Sequence, residues 1–268
     1  MQDSPTGSTG DPARAHRFVG GRDLTRWSTP AGRRLAALHT RLGDRIGAHR
    51  ALVATLAVGG GVAVAASWGA ARIYDAVAGS DGIASLDRPI LHSAMRLRSP
   101  GLDLAAAAIA EVFGPIGMPI IAAGSAGVIA LTRRQLSPAT ITVAAGAGSL
   151  LMTVAGKDVV HRHRPPHRDA APPIEHSPSF PSGHTLNATV VSGVVAYLLL
   201  LHQRSGRAQS TTVAVAATTA AAVGLSRVLL GAHWFTDVVV GWTLGAGWLS
   251  TIITSHRLYL TTRHRRQG

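Results

Sequence analysis

The chain has 268 residues, 46% of them apolar and only 15% charged, with a formal net charge of +13 and no cysteine. The missing cysteine rules out disulfides and thiolate metal sites. The charge would suggest nucleic acid in a soluble protein, but the arginines gather in the two tails and in short loops between long uncharged blocks, which is positive-inside membrane topology and speaks against nucleic acid as a partner.

In chain order, Met1 to about Pro30 is rich in Gly, Ser, Thr, Pro and Asp without apolar periodicity and reads as disordered. From Arg33 to Arg50, Leu35, Leu38, Leu42 and Ile46 recur at helical spacing among five arginines. This is either a basic amphipathic helix on an anionic membrane surface or a solvated basic tail. Residues 1–50 therefore form a cytoplasmic tail. The pair Arg33-Arg34 lies too far from an apolar segment for twin-arginine export, and so long a leader argues for a retained anchor.

Ala51 to Ala71 is the first predicted span, with Trp68 as an interface anchor. Between Arg72 and Gly101, Ile83, Leu86, Ile90, Ala94 and Leu97 are spaced by three and four, predicting an amphipathic helix on the outer bilayer surface. Leu102 to Leu131 is the second span, with kinks expected at Gly114-Pro115 and Pro119. Glu111 lies within it, where a carboxylate is costly unless it faces the bundle or a wet cleft. The third span covers Pro138 to Gly156, the fourth His184 to Leu201, the fifth Thr211 to Leu225 and the sixth Phe235 to Thr254. The expected fold is all-α: a bundle of six transmembrane helices over residues 51–256, followed by a basic tail, 257–268. Six spans put both termini on one side. Nine arginines before the first span, Arg133-Arg134, Arg204, Arg207 and the final arginines share that side, which the positive-inside rule makes the cytoplasm.

Three polar islands fall on the opposite, extracytoplasmic side. The first holds Lys157, the only lysine beside 25 arginines (26 Lys+Arg less one), followed by Arg164-Pro165. A chain that otherwise uses arginine selects a compact ammonium here. A basic loop clearing the membrane would account for Arg162, Arg164 and Arg168 but not for that choice. The second island, Pro181-Ser182-Gly183-His184, opens a long apolar helix. Its unpaired N–H groups and dipole favour an anion, Gly183 admits close approach, and His184 adds a proton donor. The third is Ser226-Arg227 with His233 and Asp237, four apart and able to share a helical face. A carboxylate on one imidazole nitrogen leaves the other free to attack. Three cations, a helix mouth, a nucleophile with its orienting acid and a second histidine are the inventory of phosphoryl transfer through a covalent intermediate.

Lys157-x6-Arg164-Pro165, Pro181-Ser182-Gly183-His184 and Ser226-Arg227-x5-His233-x3-Asp237 together resemble the three-part signature of the type 2 phosphatidic acid phosphatase superfamily. The motifs cover residues 157–237, and the span layout extends the likeness to about 51–256. The resemblance implies a metal-independent phosphatase without a cofactor. In it, His233 would form a phosphohistidine, Asp237 would orient and charge it, and His184 would protonate the leaving oxygen and then activate water. Lys157, Arg164 and Arg227 would clamp the phosphoryl oxygens together with the Ser182 hydroxyl and the Gly183 N–H. Ser226 would position Arg227, and Pro165 and Pro181 would support the two loops.

The expected substrate is a lipid phosphate or diphosphate whose tail stays in the bilayer. A polyprenyl (undecaprenyl-type) diphosphate leads, with phosphatidic acid, phosphatidylglycerol phosphate and lyso-lipid phosphates as competitors. Phosphotransfer to an alcohol and a non-enzymatic anion-binding role are the alternatives, and oligomeric state stays open. His161, His163 and His167 make a weak zinc set without carboxylate partners. Asp158 and Glu175 read as loop surface, with some tuning of the basic site, and Trp234 and Trp242 as packing residues.

Overall fold

The computed structural model describes residues 18–19, 22–77, 83–114, 116–133 and 136–267. Residues 1–17 and 20–21 of the predicted N-terminal tail, Pro115 and Arg134 lie outside them. A two-residue antiparallel pair (Phe18–Val19 with Arg22–Asp23) precedes nine helices among the described residues. These are α1 (Pro30–Ile46), α2 (Ala48–Val77), α3 (Asp87–Leu97, after a 3-10 turn at Ile83–Leu86), α4 (Pro100–Val112), α5 (Gly117–Arg133), α6 (Ser137–Val160), α7 (Gly183–Leu200), α8 (Gly206–Leu229) and α9 (Phe235–Gln267). Five of them, α2 and α6 to α9, are long and apolar enough to cross a membrane. The bent pair α4 and α5, turned by 50° at its break, makes a sixth if it crosses as one unit.

Local chemistry explains the ends. Thr29 accepts the Gly32 N–H and Pro30 opens α1, while Ser99 accepts the Leu102 N–H and Pro100 opens α4. The predicted kink at Gly114 is a full break between α4 and α5.

Leu52, Ile141, Met152, Leu186, Val190, Trp248 and Ile252 join α2, α6, α7 and α9 in one buried cluster. Between apolar helices in a bilayer, such contacts stabilise by close packing more than by excluding water.

Two expectations need correction. The apolar stretch of the sixth span ends near Thr254, but α9 continues to Gln267, so residues 257–267 are helix and not a loose tail. Hydropathy marks where a membrane ends; a helix continues wherever its polar residues find partners. Here Arg257 donates to Leu24 O and Arg26 O at 3.0 Å each, and Trp27 Nε1 donates to Thr261 Oγ1 at 3.1 Å. His39 on α1 pairs with Thr262 at 2.8 Å. The described part of the N-terminal segment is thus folded onto the end of α9, and neither a wholly disordered stretch up to Pro30 nor a freely solvated basic helix describes it.

The amphipathic segment before the second span forms α3 as expected. However, Ile83, Leu86 and Leu97 of the predicted apolar stripe face away from the protein, and the buried positions are Asp87 and Leu91.

Candidate active site

The three islands converge at the end of the bundle opposite the packed termini. His161, in the left-handed conformation (φ 47°), ends α6 and reverses the chain. The loop that follows is tied back at two points. Ser179 N–H donates to Arg162 O at 2.8 Å, and Ser182 N–H donates to the Asp237 carbonyl at 3.2 Å. Between α8 and α9, Gly231 adopts φ +64°, and a Cβ there would lie 2.6 Å from Asp169 O. Only glycine suits both that conformation and that approach.

His233 is buried just before α9. Its Nε2 receives Arg164 Nη1 at 3.1 Å, and its Nδ1 lies 3.6 Å from Asp237 Oδ2 and 3.5 Å from Ser179 Oγ. The Asp237 carboxylate is fully engaged. It accepts from Ser179 Oγ in a short bond, from the Trp234 N–H at 2.9 Å and from Arg162 Nη1 at 2.6 Å. Its bond to Trp234, the residue before α9, is the acidic half of a capping box, so one side chain both starts the helix and faces the histidine.

Lys157 donates to Ser177 Oγ at 2.6 Å, and Arg164 also donates to Ser177 O at 2.7 Å and to Ala232 O at 2.5 Å. Pro165 and Pro181 are buried beside these loops. Ser226 donates to Val223 O at 2.7 Å, a bond within α8. Ser182 is wholly buried and caps α7, its hydroxyl 2.8 Å from Thr185 Oγ1. It is therefore committed to the helix start, while Gly183 and His184 line the pocket.

Glu175, read from the sequence as loop surface, occupies the centre of this cluster. Its carboxylate bridges Arg164 (2.7 Å) and Arg227 (a short contact) and lies 3.8 Å from His184 Nδ1. Burial alone would raise its pKa, but Arg227 and then Arg164 hold it down to about 2. Its charge stands where an anionic ligand would meet the same guanidiniums. Arg227 Nε is buried and lacks a hydrogen-bond partner, so the guanidinium keeps a donor in reserve. His233 is shifted towards the neutral imidazole. Burial lowers its pKa, and Asp237 offsets this only in part. Arg164 is lowered by burial and raised by Glu175.

Arg162, Asp87 and Ser179 are further members that the sequence reading did not place. Arg162 looked like one of several loop arginines, Asp87 is a single acid on an otherwise amphipathic segment, and Ser179 carried no signal. The His167 and His176 rings lie 5.6 Å apart between centroids, tilted by 36°, and among the described residues no three His, Asp or Glu side chains come together as metal ligands.

The polar cluster opens into a cavity of about 660 Å³ that runs between α4, α5 and α6. Lys157, Glu175, His184, Arg227 and His233 line its polar end, and Ala110, Pro119, Ala147 and Leu150 its apolar end. Glu111 lies on its wall, resolving the expected choice between bundle and cleft. Gly114 brings the α4 break against the histidine, since a Cβ there would be 3.2 Å from His184 Nε2. A second cavity of about 480 Å³, near the packed termini, is lined by Leu35, Val58, Leu258 and hydroxyl residues, with no ionisable side chain.

A buried cationic pocket joined to an apolar cavity among membrane-length helices defines the class: a multi-pass membrane protein with a cationic site at one end of its bundle. Residues 138–259 match the PAP2 superfamily. Phosphatidylglycerophosphatase B of Bacillus subtilis (strain 168) is 33% identical over 169 residues, 62% of this chain and 81% of that protein. Decaprenylphosphoryl-5-phosphoribose phosphatase of Mycolicibacterium smegmatis is 33% identical over 148 residues, 53% of this chain and 72% of that one. The crystal structure of the transmembrane PAP2 type phosphatidylglycerolphosphate phosphatase from Bacillus subtilis superposes with a TM-score of 0.63 at 26% identity, over 70% of this chain and 93% of that chain. The chain belongs to the PAP2 superfamily.

Proposed function

We propose that this chain is a phosphatase that hydrolyses a membrane lipid phosphate through a phosphohistidine formed on His233. The observation that carries the reading is the pair of contacts on that ring. A guanidinium can only donate, so the Arg164 contact makes Nε2 the unprotonated nitrogen and leaves the Nδ1 proton facing Asp237 and Ser179.

In the reaction, the phosphate displaces Glu175 from Arg164 and Arg227, and Lys157 and the Gly183 N–H complete its cradle. The Nε2 lone pair forms the P–N bond as the P–O bond to the lipid breaks, and His184 gives its proton to the departing oxygen. Asp237 balances the charge that develops on the His233 ring. Water then attacks phosphorus, losing its proton to His184. The P–N bond breaks and inorganic phosphate leaves. The cations supply the charge stabilisation that a metal would otherwise provide, so the reaction is read as metal-independent.

The apolar cavity accepts the lipid tail. The named relatives act on phosphatidylglycerophosphate and on decaprenylphosphoryl-5-phosphoribose. Both names describe a lipid whose headgroup ends in a phosphate, which supports a lipid phosphomonoester as first candidate and keeps the polyprenyl diphosphate second. In our reading the domain covers residues 51–256 with six spans, and both termini face the cytoplasm. The arginine distribution and the packing of Trp27 on Thr261 favour that orientation. It places the site on the extracytoplasmic face.

The test is phosphate release by purified protein in detergent with EDTA. Phosphatidylglycerol phosphate, phosphatidic acid and a polyprenyl diphosphate are offered in parallel, beside His233→Ala. Release lost in the variant supports the reading. Activity that disappears with EDTA and returns with a divalent ion overturns the metal-independent mechanism. Transfer to an added alcohol without phosphate release identifies a phosphotransferase.

A further inference from the structure

We propose that Asp87 and Arg162 act as a positioning pair, through which helix α3 holds the Asp237 carboxylate against His233. The inference rests on reading His233 as the nucleophile.

The geometry is a relay of fully engaged groups. Arg162 Nη1 donates to Asp237 Oδ1 and Nη2 to Asp87 Oδ2, both at 2.6 Å. Thr236, next to Asp237, donates to Asp87 from its N–H at 2.9 Å and from its hydroxyl at 2.8 Å, and its hydroxyl accepts from Arg162 at 2.8 Å. Asp87 and Asp237 are buried, and the Arg162 side chain is 17% exposed beneath Trp234, whose ring centroid lies 5.5 Å from its guanidinium carbon. A buried charge is tolerated when paired and hydrogen-bonded on every side, and this one is paired twice. The planar guanidinium spans two carboxylates that repel each other, which an ammonium cannot do with the same fork.

The other end of α3 is fastened to the same motif. Arg98 donates to Leu229 O, at the end of α8, at 2.6 Å and to Asp169 O, in the loop packed against Gly231, at 2.7 Å. Helix α3 therefore bridges the end of α8 and the start of α9, the two elements that carry Arg227 and Asp237. Its outward residue Leu97, with Ile83 and Leu86 of the 3-10 turn before it, is apolar and exposed, as suits a segment lying against a bilayer. The pair touches neither substrate nor reacting atoms; it acts through Asp237.

Opposite charges give the pair a signature that a merely structural role lacks. Asp87→Asn leaves Arg162 less compensated and adds positive potential near His233, so its imidazole protonates at lower pH. Arg162→Gln leaves two carboxylates without their shared cation, so His233 protonates at higher pH. His233 also faces Asp237, Arg164, Arg227, Glu175, His184 and, across the pocket, Lys157, all unchanged in both variants.

The experiment is histidine 15N NMR on the full chain in lipid nanodiscs, with the His233 signal identified by its loss in His233→Gln. It is followed over pH in the wild type, Asp87→Asn, Arg162→Gln and Arg162→Lys, and kcat and KM are measured on the same samples. The expected result is titration shifts of opposite sign. With them, kcat falls about tenfold or more in Asp87→Asn and Arg162→Gln at nearly constant KM, and Arg162→Lys recovers it only in part. Unmoved titration, or shifts of the same sign, in folded variants overturns the pair. Wild-type protein that releases no phosphate counts against the functional reading, while the His233 titration still decides the pair.

Discussion

Arg164 donates to His233 Nε2 at 3.1 Å, so the nitrogen read as nucleophile is capped by a cation in the unliganded protein. Together with burial, that cation disfavours the imidazolium, and His233 is neutral well below the pH at which a free histidine would be. Its folded pKa lies under the ordinary histidine value of 6.5, so the acid limb of kcat/KM should fall below 6.5. The same shift makes the native state lose stability as pH drops from about 6.5, because the unfolded histidine binds its proton first. A kcat/KM profile with its acid limb above 7 would contradict this assignment.

Asp237→Asn keeps the shape of the side chain but replaces one acceptor oxygen with a donor where Ser179, Trp234 and Arg162 all donate. Turnover should fall by about 10²–10⁴-fold as the imidazole loses its orienting charge. Stability should drop by about 1–3 kcal/mol from the mismatched hydrogen bonds. Steady-state kinetics and thermal melting on one preparation read both effects.

His184 lines the pocket, and in the proposed mechanism it carries the two proton transfers. His184→Gln should slow hydrolysis by about 10²–10⁴-fold. With a good leaving group, which needs no acid, phosphoenzyme should still form and then accumulate, because its breakdown needs the base. Acid-labile, base-stable radiolabel retained on the protein, and absent in His184→Gln/His233→Ala, is the expected observation.

Glu175 pairs with Arg164 and Arg227, so in the proposed site it competes with phosphate for them. Glu175→Gln removes the charge and should tighten inhibition by inorganic phosphate by about tenfold. Its ion pairs also carry a pH signature. The folded pKa of about 2 lies below the ordinary glutamate value of 4.5, so their stabilisation is complete above about pH 4.5 and lost as pH falls towards 2. Between pH 5 and pH 3 the wild type should lose more Tm than Glu175→Gln. An unchanged inhibition constant would show that the carboxylate leaves the guanidiniums without cost.

Much of the architecture was legible because bilayers impose long apolar segments. The starts of α6, α7 and α9 fall within one residue of their expected positions, since Pro138, Gly183 and Phe235 sit where polar loops give way to apolar runs. The far end of α9 was not legible, because nothing in hydropathy separates a helix leaving the membrane from a tail. The exposed stripe of α3 was read correctly as amphipathic. Its buried acid was not, because periodicity reports only which residues share a face and not which face the protein covers.

The sequence by itself determined the membrane class, the three islands and the family likeness, because local patterning and fixed motif spacings suffice for them. Tertiary structure alone decided which charges meet. Glu175 reaches Arg227 across 52 residues, and Arg162 reaches both Asp87 and Asp237 across 75. An acid in a loop looks the same in sequence whether water or an arginine faces it, since ion pairing depends on where chain reversals such as His161 and Gly231 deliver side chains. The motif residues were readable as a set. The carboxylate lying across Arg164 and Arg227, and the buried pair behind Asp237, exist only once the helices have packed.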